Sequence, residues 1–484
     1  MIPLLPSMIL AQVVTAPTQI IQADYIVQPQ EIRPLPGRLD EIPVFNSNSP
    51  EVIEREGILL STFPSDQKYN PNAHLNQRLE GRFDFFSHHI ARPRDNRAIY
   101  QGVLVKNPTN NYITLRVLEG GSYLTAGDAP FIDLPPQVED PDGRVFSGPG
   151  SRLMGALLRG MVQPGLPRQV VIPPGQTRLL FALEINRSSA RSTYLRLQSD
   201  GPIYMANLAM SAIAEYPPIA QTPESATLSL ESLKLPPEPQ PVSYRKPDLQ
   251  DWQELLARGY LATPRDRAPT PLDQIKPGQP KTPIYGRVAG ISKGATWNTT
   301  LLDNPKAKYL SIPERGKAFS YPLSTLNVGT YGTQQIQSAP MVVRYPDTAY
   351  LAHGNYGVHY QLNIPLKNVT SSRQSVSLAV QTPVKQDQYN DRLFFVSRPS
   401  GQVFFRGTVK LNYVDDLGQR QQRYFHLTQR QGEMSNPLIM LNLQPGEQRN
   451  ITLDLLYPPD ATPPQVVTVK TEELYYGSLL SPRR

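Results

Sequence analysis

The sequence contains no cysteine among its 484 residues. Disulfide bonds, thiolate metal sites and a cysteine nucleophile are therefore excluded. Exported bacterial proteins often avoid cysteine, because a free thiol outside the cytoplasm is readily oxidised. No stretch approaches the ~18 consecutive apolar residues that a transmembrane helix needs. These two absences favour an exported protein without a transmembrane span.

Recognisable catalytic motifs are also missing. The sequence has no Gly-x-Ser-x-Gly nucleophile elbow and no phosphate loop ending in Gly-Lys-Ser/Thr. His353 and His359 would share one face of a strand, but no third metal ligand lies at a short spacing from them. The carboxylate pair of a glycosidase cannot be assigned from spacing, because its members come from distant strands. The sequence thus assigns no catalytic, cofactor-binding or metal-binding residue and predicts no cofactor, and it favours a protein that is not an enzyme without deciding the point.

Proline is abundant. Its 51 residues are about twice the average usage of roughly 5%. Proline interrupts helices and is confined to the edges and ends of strands, whereas the 24 tyrosines and many β-branched residues suit a pleated sheet. The composition predicts a mainly β protein with little helix.

The distribution of proline and of apolar residues divides the chain into segments. An apolar N-terminus ending near Ala11 indicates a signal peptide. One short helix is predicted near residues 249–258, with Asp248 as its N-cap and Gly259 at its end. The predicted segments are a signal peptide at 1–11, an extended proline-rich lead at 12–60, a first β-sandwich unit at 61–216, a proline-rich linker at 217–282, a second β-sandwich unit at 283–475 and a basic tail at 476–484.

The second unit repeats the first in three places and in the same order. The strand at 360–368 matches the strand at 99–107, and both end in Lys-Asn. The next strand matches in the same way, and a Pro-Gly turn recurs at Pro445-Gly446. These matches predict two tandem, related β-sandwiches of Ig-like or jelly-roll-like type, although generic strand patterns could match by chance. A turn is predicted at Ser199-Asp-Gly-Pro202, between two strands of the first unit.

Arginine is concentrated in one part of the chain. Residues 143–196 contain eight arginines and a single acidic residue, Glu184. Guanidinium groups pair well with phosphate and carboxylate groups. The alternative is that these arginines lie on solvated strand faces or pair with acidic residues elsewhere in the fold. The candidate anion-binding patch comprises Arg144, Arg152, Arg159 and Arg168.

A glycine-rich turn precedes a predicted short helix in this region. The turn, Gly148-Pro-Gly-Ser-Arg152, could present backbone N–H groups to an anion. The alternative is an ordinary loop or a lid.

Several longer segments resemble those of a cyanobacterial family of exported proteins that is known only as a domain of unknown function. The resemblance covers nearly the whole chain and implies an exported bacterial protein, but it implies no catalytic or binding residue. The segments are Pro43-Val-Phe-Asn-Ser-Asn-Ser-Pro50, Gly81-Arg-Phe-Asp-Phe-Phe-Ser-His-His-Ile-Ala91, Arg191-Ser-Thr-Tyr-Leu-Arg-Leu-Gln-Ser-Asp-Gly-Pro202, Tyr345-Pro-Asp-Thr-Ala-Tyr-Leu-Ala-His-Gly-Asn-Tyr-Gly357, Phe404-Phe-Arg-Gly407 and Tyr457-Pro-Pro-Asp-Ala-Thr-Pro-Pro-Gln465.

The functional expectation is a non-enzymatic envelope protein in the periplasm or at the cell surface, with a structural or binding role. The formal net charge of +7 points to an anionic envelope polymer or another envelope protein as the partner, and no nucleic acid is expected. The alternative is a carbohydrate-binding or carbohydrate-hydrolysing protein that stacks sugars on tyrosine rings. The oligomeric state stays open.

Overall fold

The computed structural model describes residues 24–95, 97–216, 240–275 and 286–473. The predicted signal peptide and basic tail lie outside the described residues. Strands account for 47% and helices for 6% of the structure, which confirms the predicted mainly β class. Within the described ranges no helix is long and apolar enough to cross a membrane.

Strands, two α-helices and two short 3₁₀ helices (Pro71–Ala73 and Leu272–Gln274) form the regular elements of the described residues. The strands and the α-helices are numbered in chain order. The strands are β1 (Tyr25–Pro29), β2 (Glu31–Ile32), β3 (Pro43–Ser47), β4 (Val52–Ile53), β5 (Gly57–Ser61), β6 (Leu79–Ala91), β7 (Ile99–Lys106), β8 (Ile113–Leu124), β9 (Gln137–Glu139), β10 (Gln169–Ile172), β11 (Thr177–Ile185), β12 (Ala190–Ser211), β13 (Ile213–Glu215), β14 (Ser243–Arg245), β15 (Ala289–Lys293), β16 (Thr296–Thr300), β17 (Leu310–Ser311), β18 (Ala318–Leu323), β19 (Ala339–Arg344), β20 (Leu351–Ala352), β21 (His359–Lys367), β22 (Gln374–Gln381), β23 (Arg392–Val396), β24 (Val403–Val414), β25 (Arg420–Arg430), β26 (Ile439–Leu443), β27 (Gln448–Leu456) and β28 (Gln465–Thr471). The helices are α1 (Pro149–Leu157) and α2 (Leu249–Arg258).

The first sandwich is built around the long strand β12. The N-terminal part of β12 pairs with β6 and β8, and its C-terminal part pairs with β5 and β7. One strand thus contributes to both layers. The turn predicted at Ser199-Asp-Gly-Pro202 is wrong, because the chain continues as strand with only a shift of register between Ser199 and Ile203. Gly201 and Pro202 lie where the strand passes from one layer to the other, and there they accommodate a bend rather than a reversal.

The second sandwich has two layers with separate strands. One layer has the order β16-β21-β27-β24-β25-β9, and the other has the order β2-β18-β28-β22-β26. Alternation of side chains explains the layers. In β21 the residues Tyr360, Leu362, Ile364 and Leu366 are at most 1% exposed and face the core, while the intervening polar residues face outward.

Strand pairing in the second sandwich reproduces that of the first. The strands β7 and β11 pair antiparallel with Val105 opposite Arg178, and β21 and β27 pair antiparallel with Leu366 opposite Arg449. In each unit, the next strand along the chain pairs with an edge strand. β8, which follows β7, pairs with β10, and β22, which follows β21, pairs with β26. The observed pairing follows the repeat that the sequence predicts.

The two sandwiches exchange strands. From the later half of the chain, β15 pairs with β3 and β19 extends the first sandwich beyond it. From the earlier half, β9 pairs with β25, β1 with β23 and β2 with β18 in the second sandwich. The lead therefore contributes the edge strands β1 and β2 to the second sandwich and the interior strand β3 to the first. The limits of the predicted segments stay a prediction.

The helix α2 spans the residues at which the sequence predicts it. Asp248 accepts hydrogen bonds from the backbone of Gln250 and Asp251, and the Asp251 side chain bonds back to the Asp248 N–H, which forms a capping box. The apolar face buries Trp252 and Leu256 against the first sandwich. Because so short a helix is marginal alone, this packing is what stabilises it.

Candidate functional site

The helix α1 lies at the junction of the two sandwiches. It begins after Gly148, whose φ of +91° suits glycine, and Pro149 occupies the first turn, where a missing N–H costs nothing. Its residues Leu153 and Leu157 pack with Tyr123 of the first sandwich and Tyr424 of the second. The helix is therefore part of the apolar contact between the units.

The N-terminus of α1 binds a carboxylate of the second sandwich. The Oδ2 atom of Asp460 accepts hydrogen bonds from the backbone N–H groups of Gly150 (2.7 Å) and Ser151 (3.1 Å). Burial raises the pKa of Asp460 to about 6, although these two donors favour its charged form. The sequence suggested that this turn could present its N–H groups to an anion, and in the structure that anion is the chain's own Asp460.

Two of the four predicted patch arginines lie on α1 or at its end and contact the protein interior. The guanidinium group of Arg152 lies 4.6 Å from the ring centroids of Tyr123 and of Phe146, and it donates to the backbone carbonyl of Asp128. Arg159 forms an ion pair with Asp140 at 3.0 Å and lies 4.1 Å from the Tyr424 ring.

The other two patch arginines, Arg144 and Arg168, are exposed. Neither forms an ion pair with any described residue. The four predicted residues thus divide into a pair that contacts protein groups, of which Arg159 reaches Tyr424 of the second sandwich, and a pair that faces solvent.

A chain of charged side chains also crosses the junction, and no sequence pattern pointed to it. Glu119 and Arg196 of the first sandwich form an ion pair at 2.7 Å. The same guanidinium group donates to Nδ1 of His359 in the second sandwich at 2.9 Å, and Nε2 of His359 lies 3.0 Å from Asp454. The four side chains of this charged row are between 11% and 24% exposed, so the row is partly accessible to solvent.

These contacts determine the protonation of His359. An arginine is only a donor, so Nδ1 must accept from Arg196 and Nε2–H must donate to Asp454. Burial lowers the pKa of His359, and the Asp454 carboxylate offsets this only in part. The imidazole is therefore neutral, and both of its nitrogens are already bonded to protein groups. Neither nitrogen of His359 is therefore free to bind a metal together with His353.

A second contact across the junction is centred on Tyr194. Its hydroxyl group donates to Oδ2 of Asp84 (2.7 Å) and lies 3.1 Å from the carbonyl oxygen of Gly357. Asp84 also forms an ion pair with Arg82 at 2.8 Å. Gly357 has a φ of +83°, and a Cβ atom there would lie 2.0 Å from the Tyr194 ring, so the close approach of the units requires glycine.

The adjacent histidines His88 and His89 point to opposite faces of β6. Nδ1 of His88 bonds to Ser192 Oγ at 2.8 Å. His89 bonds through Nδ1 to the carbonyl oxygen of Pro50 (2.7 Å) and through Nε2 to Ser47 Oγ (3.2 Å). Ser47 and His89 are both 0% exposed, so a substrate has no access to this pair. Within the described ranges no group of three or more metal-ligating side chains is present.

A small cavity lies beside the Tyr194 contact. Its lining includes Asn46, Tyr194 and Asn355, and its volume is about 10 Å³. That is room for about one water molecule, so the cavity is too small for an organic ligand.

The fold and the junction define a mainly β protein of two interlocked sandwiches. A family model described as "Protein of unknown function (DUF3370)" matches residues 30–471. The chain therefore belongs to this family, which confirms the resemblance to a family of unknown function. A comparison with curated proteins finds no match.

Two solved structures show only a weak likeness. "Crystal structure of Lac15 from a marine microbial metagenome" is 10% identical over 91% of this chain and 68% of that chain, with a TM-score of 0.10. "Crystal structure of procruciferin, 11S globulin from Brassica napus" is 12% identical over 86% of this chain and 84% of that chain, with a TM-score of 0.09. Scores this low carry no argument about fold or function.

Proposed function

We propose that this chain is a non-enzymatic protein exported to a cyanobacterial envelope, in the periplasm or at the cell surface, where it binds an anionic envelope component. The observation that carries the proposal is the exposure of Arg144 and Arg168 without an ionic partner among the described residues. The net charge of +7 acts in the same direction, because a cationic surface raises the local concentration of an anionic polymer.

The exposed arginines suit a binding surface better than a structural one. A guanidinium group that is already paired cannot gain a new anion without losing the old one, and this applies to Arg159, which pairs with Asp140. Arg144 and Arg168 carry no such penalty. Arg116 adds a third exposed cation near Arg168, because it lies opposite Gln169 in the pairing of β8 with β10.

The test is co-sedimentation of the protein with purified cell-wall and outer-membrane fractions over a salt series. We expect binding that weakens as salt rises from about 50 to 300 mM, because exposed charges are screened over that range. The double variant Arg144→Ser/Arg168→Ser should bind more weakly by up to about fivefold. A matched control, Arg373→Ser/Arg420→Ser, removes the same charge from exposed positions elsewhere and should retain binding.

Two results would contradict the proposal. If the protein binds neither fraction, the proposal of an envelope partner is wrong. Equal weakening in both double variants shows that net charge alone matters and that Arg144 and Arg168 have no special role.

A second candidate function is carbohydrate binding or hydrolysis. It is favoured by a row of polar side chains across five strands of the second sandwich, Thr300, Asn363, Thr452, Asn412 and Gln422. These residues face outward and bond to one another, for example Asn412 Nδ2 to Thr452 Oγ1 at 2.9 Å. Amide and hydroxyl groups both donate and accept, as sugar hydroxyls do.

A glycan array tests the second candidate. Binding of a glycan that is lost in Asn412→Ala and unaffected by salt supports it. The absence of any signal on the array would exclude this second candidate function.

A further inference from the structure

Several polar side chains face α1 from the hairpin of β24 and β25. Antiparallel pairing places Arg406 opposite Thr428 and Thr408 opposite His426. Alternate residues such as Phe405 and Leu427 belong to the core on the other face, so Arg406, Thr428 and His426 share the face toward α1. Cross-strand neighbours lie about 5 Å apart, which brings the three polar groups into one small region, named the Arg406 niche.

Four polar atoms of the Arg406 niche are buried and have no bonding partner among the described residues. His426 is 0% exposed and Thr428 is 5% exposed. Both ring nitrogens of His426, the hydroxyl oxygen of Thr428 and Nε of Arg406 have no hydrogen-bond partner. Buried polar atoms in native proteins are almost always bonded to protein, water or an ion. Four such atoms on three neighbouring residues therefore indicate an occupant.

The chemistry of the niche favours an anion. The Cζ atom of Arg406 lies 5.0 Å from the Phe131 ring centroid. The guanidinium group is charged at all physiological pH values, and its buried Nε atom has no hydrogen-bond partner among the described residues. Burial lowers the pKa of His426 to about 4, so at neutral pH the ring is uncharged and offers one N–H donor. The Thr428 hydroxyl group is a further donor.

The two carboxylate groups near Arg406 form no hydrogen bond with its guanidinium group. Asp460 and Asp133 act on Arg406 only through electrostatic attraction. Asp460 already accepts the backbone N–H groups of α1, and burial raises its pKa to about 6.

The space limits the size of the occupant. The helix α1 approaches the hairpin at Gly155, where a Cβ atom would lie 3.0 Å from Thr408 Oγ1. A polyatomic oxyanion would need the helix to move away from the strands. A single-atom anion needs about the room of one water molecule.

We propose that Arg406, Thr428 and His426 bind a halide-sized monovalent anion, such as chloride, beneath α1 at the junction of the two sandwiches. The anion accepts from the guanidinium, hydroxyl and imidazole donors and neutralises the partly buried charge of Arg406. A water molecule beside it supplies the donor that the second ring nitrogen of His426 requires. The site is independent of the envelope-binding surface, because it uses none of the exposed arginines.

The first experiment measures thermal unfolding of the full chain in sodium chloride and in sodium gluconate at equal ionic strength. We expect the midpoint to rise with chloride, following the stabilisation that any ligand of the folded state produces, and to stay lower in gluconate, which is too large for the niche. Arg406→Gln and Thr428→Val should lose the difference between the two salts. Arg420→Gln, an exposed arginine on β25, is the matched control and should retain it.

The second experiment is direct. Crystals soaked in sodium bromide should show an anomalous peak within hydrogen-bond distance of Arg406 and Thr428. Thr428→Val keeps the side-chain volume, so it serves if Arg406→Gln fails to fold. Equal midpoints in chloride and gluconate, or crystals without a bromide peak in the niche, would show that water alone occupies it and would overturn the proposal.

Discussion

Asn107 and Asn368 form the same set of hydrogen bonds at equivalent positions of the two sandwiches. Each Nδ2 donates to the carbonyl oxygen four residues later and to the last carbonyl of the neighbouring edge strand, at 2.6 and 2.9 Å for Asn107 and at 2.8 and 2.9 Å for Asn368. Each Oδ1 accepts from the backbone N–H and the hydroxyl group of the threonine two residues later. The repeat therefore extends from strand order to individual side-chain bonds.

Replacement of either asparagine should destabilise the protein to a similar extent. Asn107→Ala and Asn368→Ala each remove the partner of three backbone groups, one buried and two partly buried. We expect each to lower the free energy of unfolding by about 2–3 kcal/mol. Urea denaturation measures the change, with the exposed Asn450→Ala as the control, for which little change is expected. A large loss in only one of the two variants would show that the loops are not equivalent in energy.

Acid should destabilise the protein from about pH 6.5 downward. Burial lowers the pKa of His74, His88, His353 and His426 to about 4 and that of His89 to about 3. Between these values and about 6.5, the ordinary pKa of histidine, the unfolded chain binds more protons than the folded chain. Stability therefore falls as pH falls through this range.

Urea midpoints at pH 7.5 and pH 5.0 test this expectation. Each pKa unit corresponds to about 1.4 kcal/mol per histidine, so the midpoint should be clearly lower at pH 5.0. His88→Gln removes one titrating group and should reduce the pH slope by about one proton. Equal midpoints at the two pH values would contradict the buried, neutral state of these histidines.

Asp460 should act in the opposite direction. In the folded protein its pKa is about 6, above the ordinary value near 3.8. Between these two pH values the folded state binds a proton that the unfolded state does not. The contribution of Asp460 to stability therefore falls as pH rises through this range. Asp460→Asn keeps an acceptor for the α1 N–H groups and should abolish this component. Asp460→Ala removes the acceptor as well and should cost about 1 kcal/mol.

The comparison of the two Asp460 variants distinguishes charge from capping. Stability measured from pH 4 to pH 7 should rise with pH more steeply in Asp460→Asn than in the parent protein. An unchanged slope would show that Asp460 does not titrate in this range.

Arg159 and Arg144 should respond very differently to truncation. Arg159 is 11% exposed and pairs with the 3% exposed Asp140, so Arg159→Ala leaves a buried carboxylate without its partner and should cost about 3 kcal/mol. Arg144→Ala should change stability by less than about 0.5 kcal/mol, as is usual for exposed positions. Guanidinium chloride denaturation measures both. Comparable losses would mean that Arg144 also has a structural partner.

The sequence predicted those parts of the fold that depend on local signals. Asp248 and Gly259 delimit α2 because capping is decided within a few residues of the helix end. The repeat was visible because alternation of apolar residues survives in both copies. The prediction of a turn at Ser199-Asp-Gly-Pro202 was wrong, because a Gly-Pro pair permits either a turn or a bend. Only the pairing of β12 with distant strands selects the bend.

The junction could not be predicted in the same way. Asp460 caps a helix whose first residues lie about 310 positions earlier, and Arg196 meets His359 from 163 positions away. No spacing rule connects such partners. The sequence shows the arginine cluster as a group. The division of Arg152 and Arg159 from Arg144 and Arg168 depends on which of them α1 places against other protein groups.

The exchange of strands has a consequence for the order of events during synthesis on the ribosome. Strand β3 of the first sandwich gains its partner β15 only after residue 293 has emerged, and β1 must wait until β23 has been made, more than 360 residues later. For most of translation the early strands therefore expose unpaired edges, which are prone to pair with other chains. We expect a nascent chain released near residue 280 to associate with chaperones or to aggregate, and the completed chain to fold as one cooperative body.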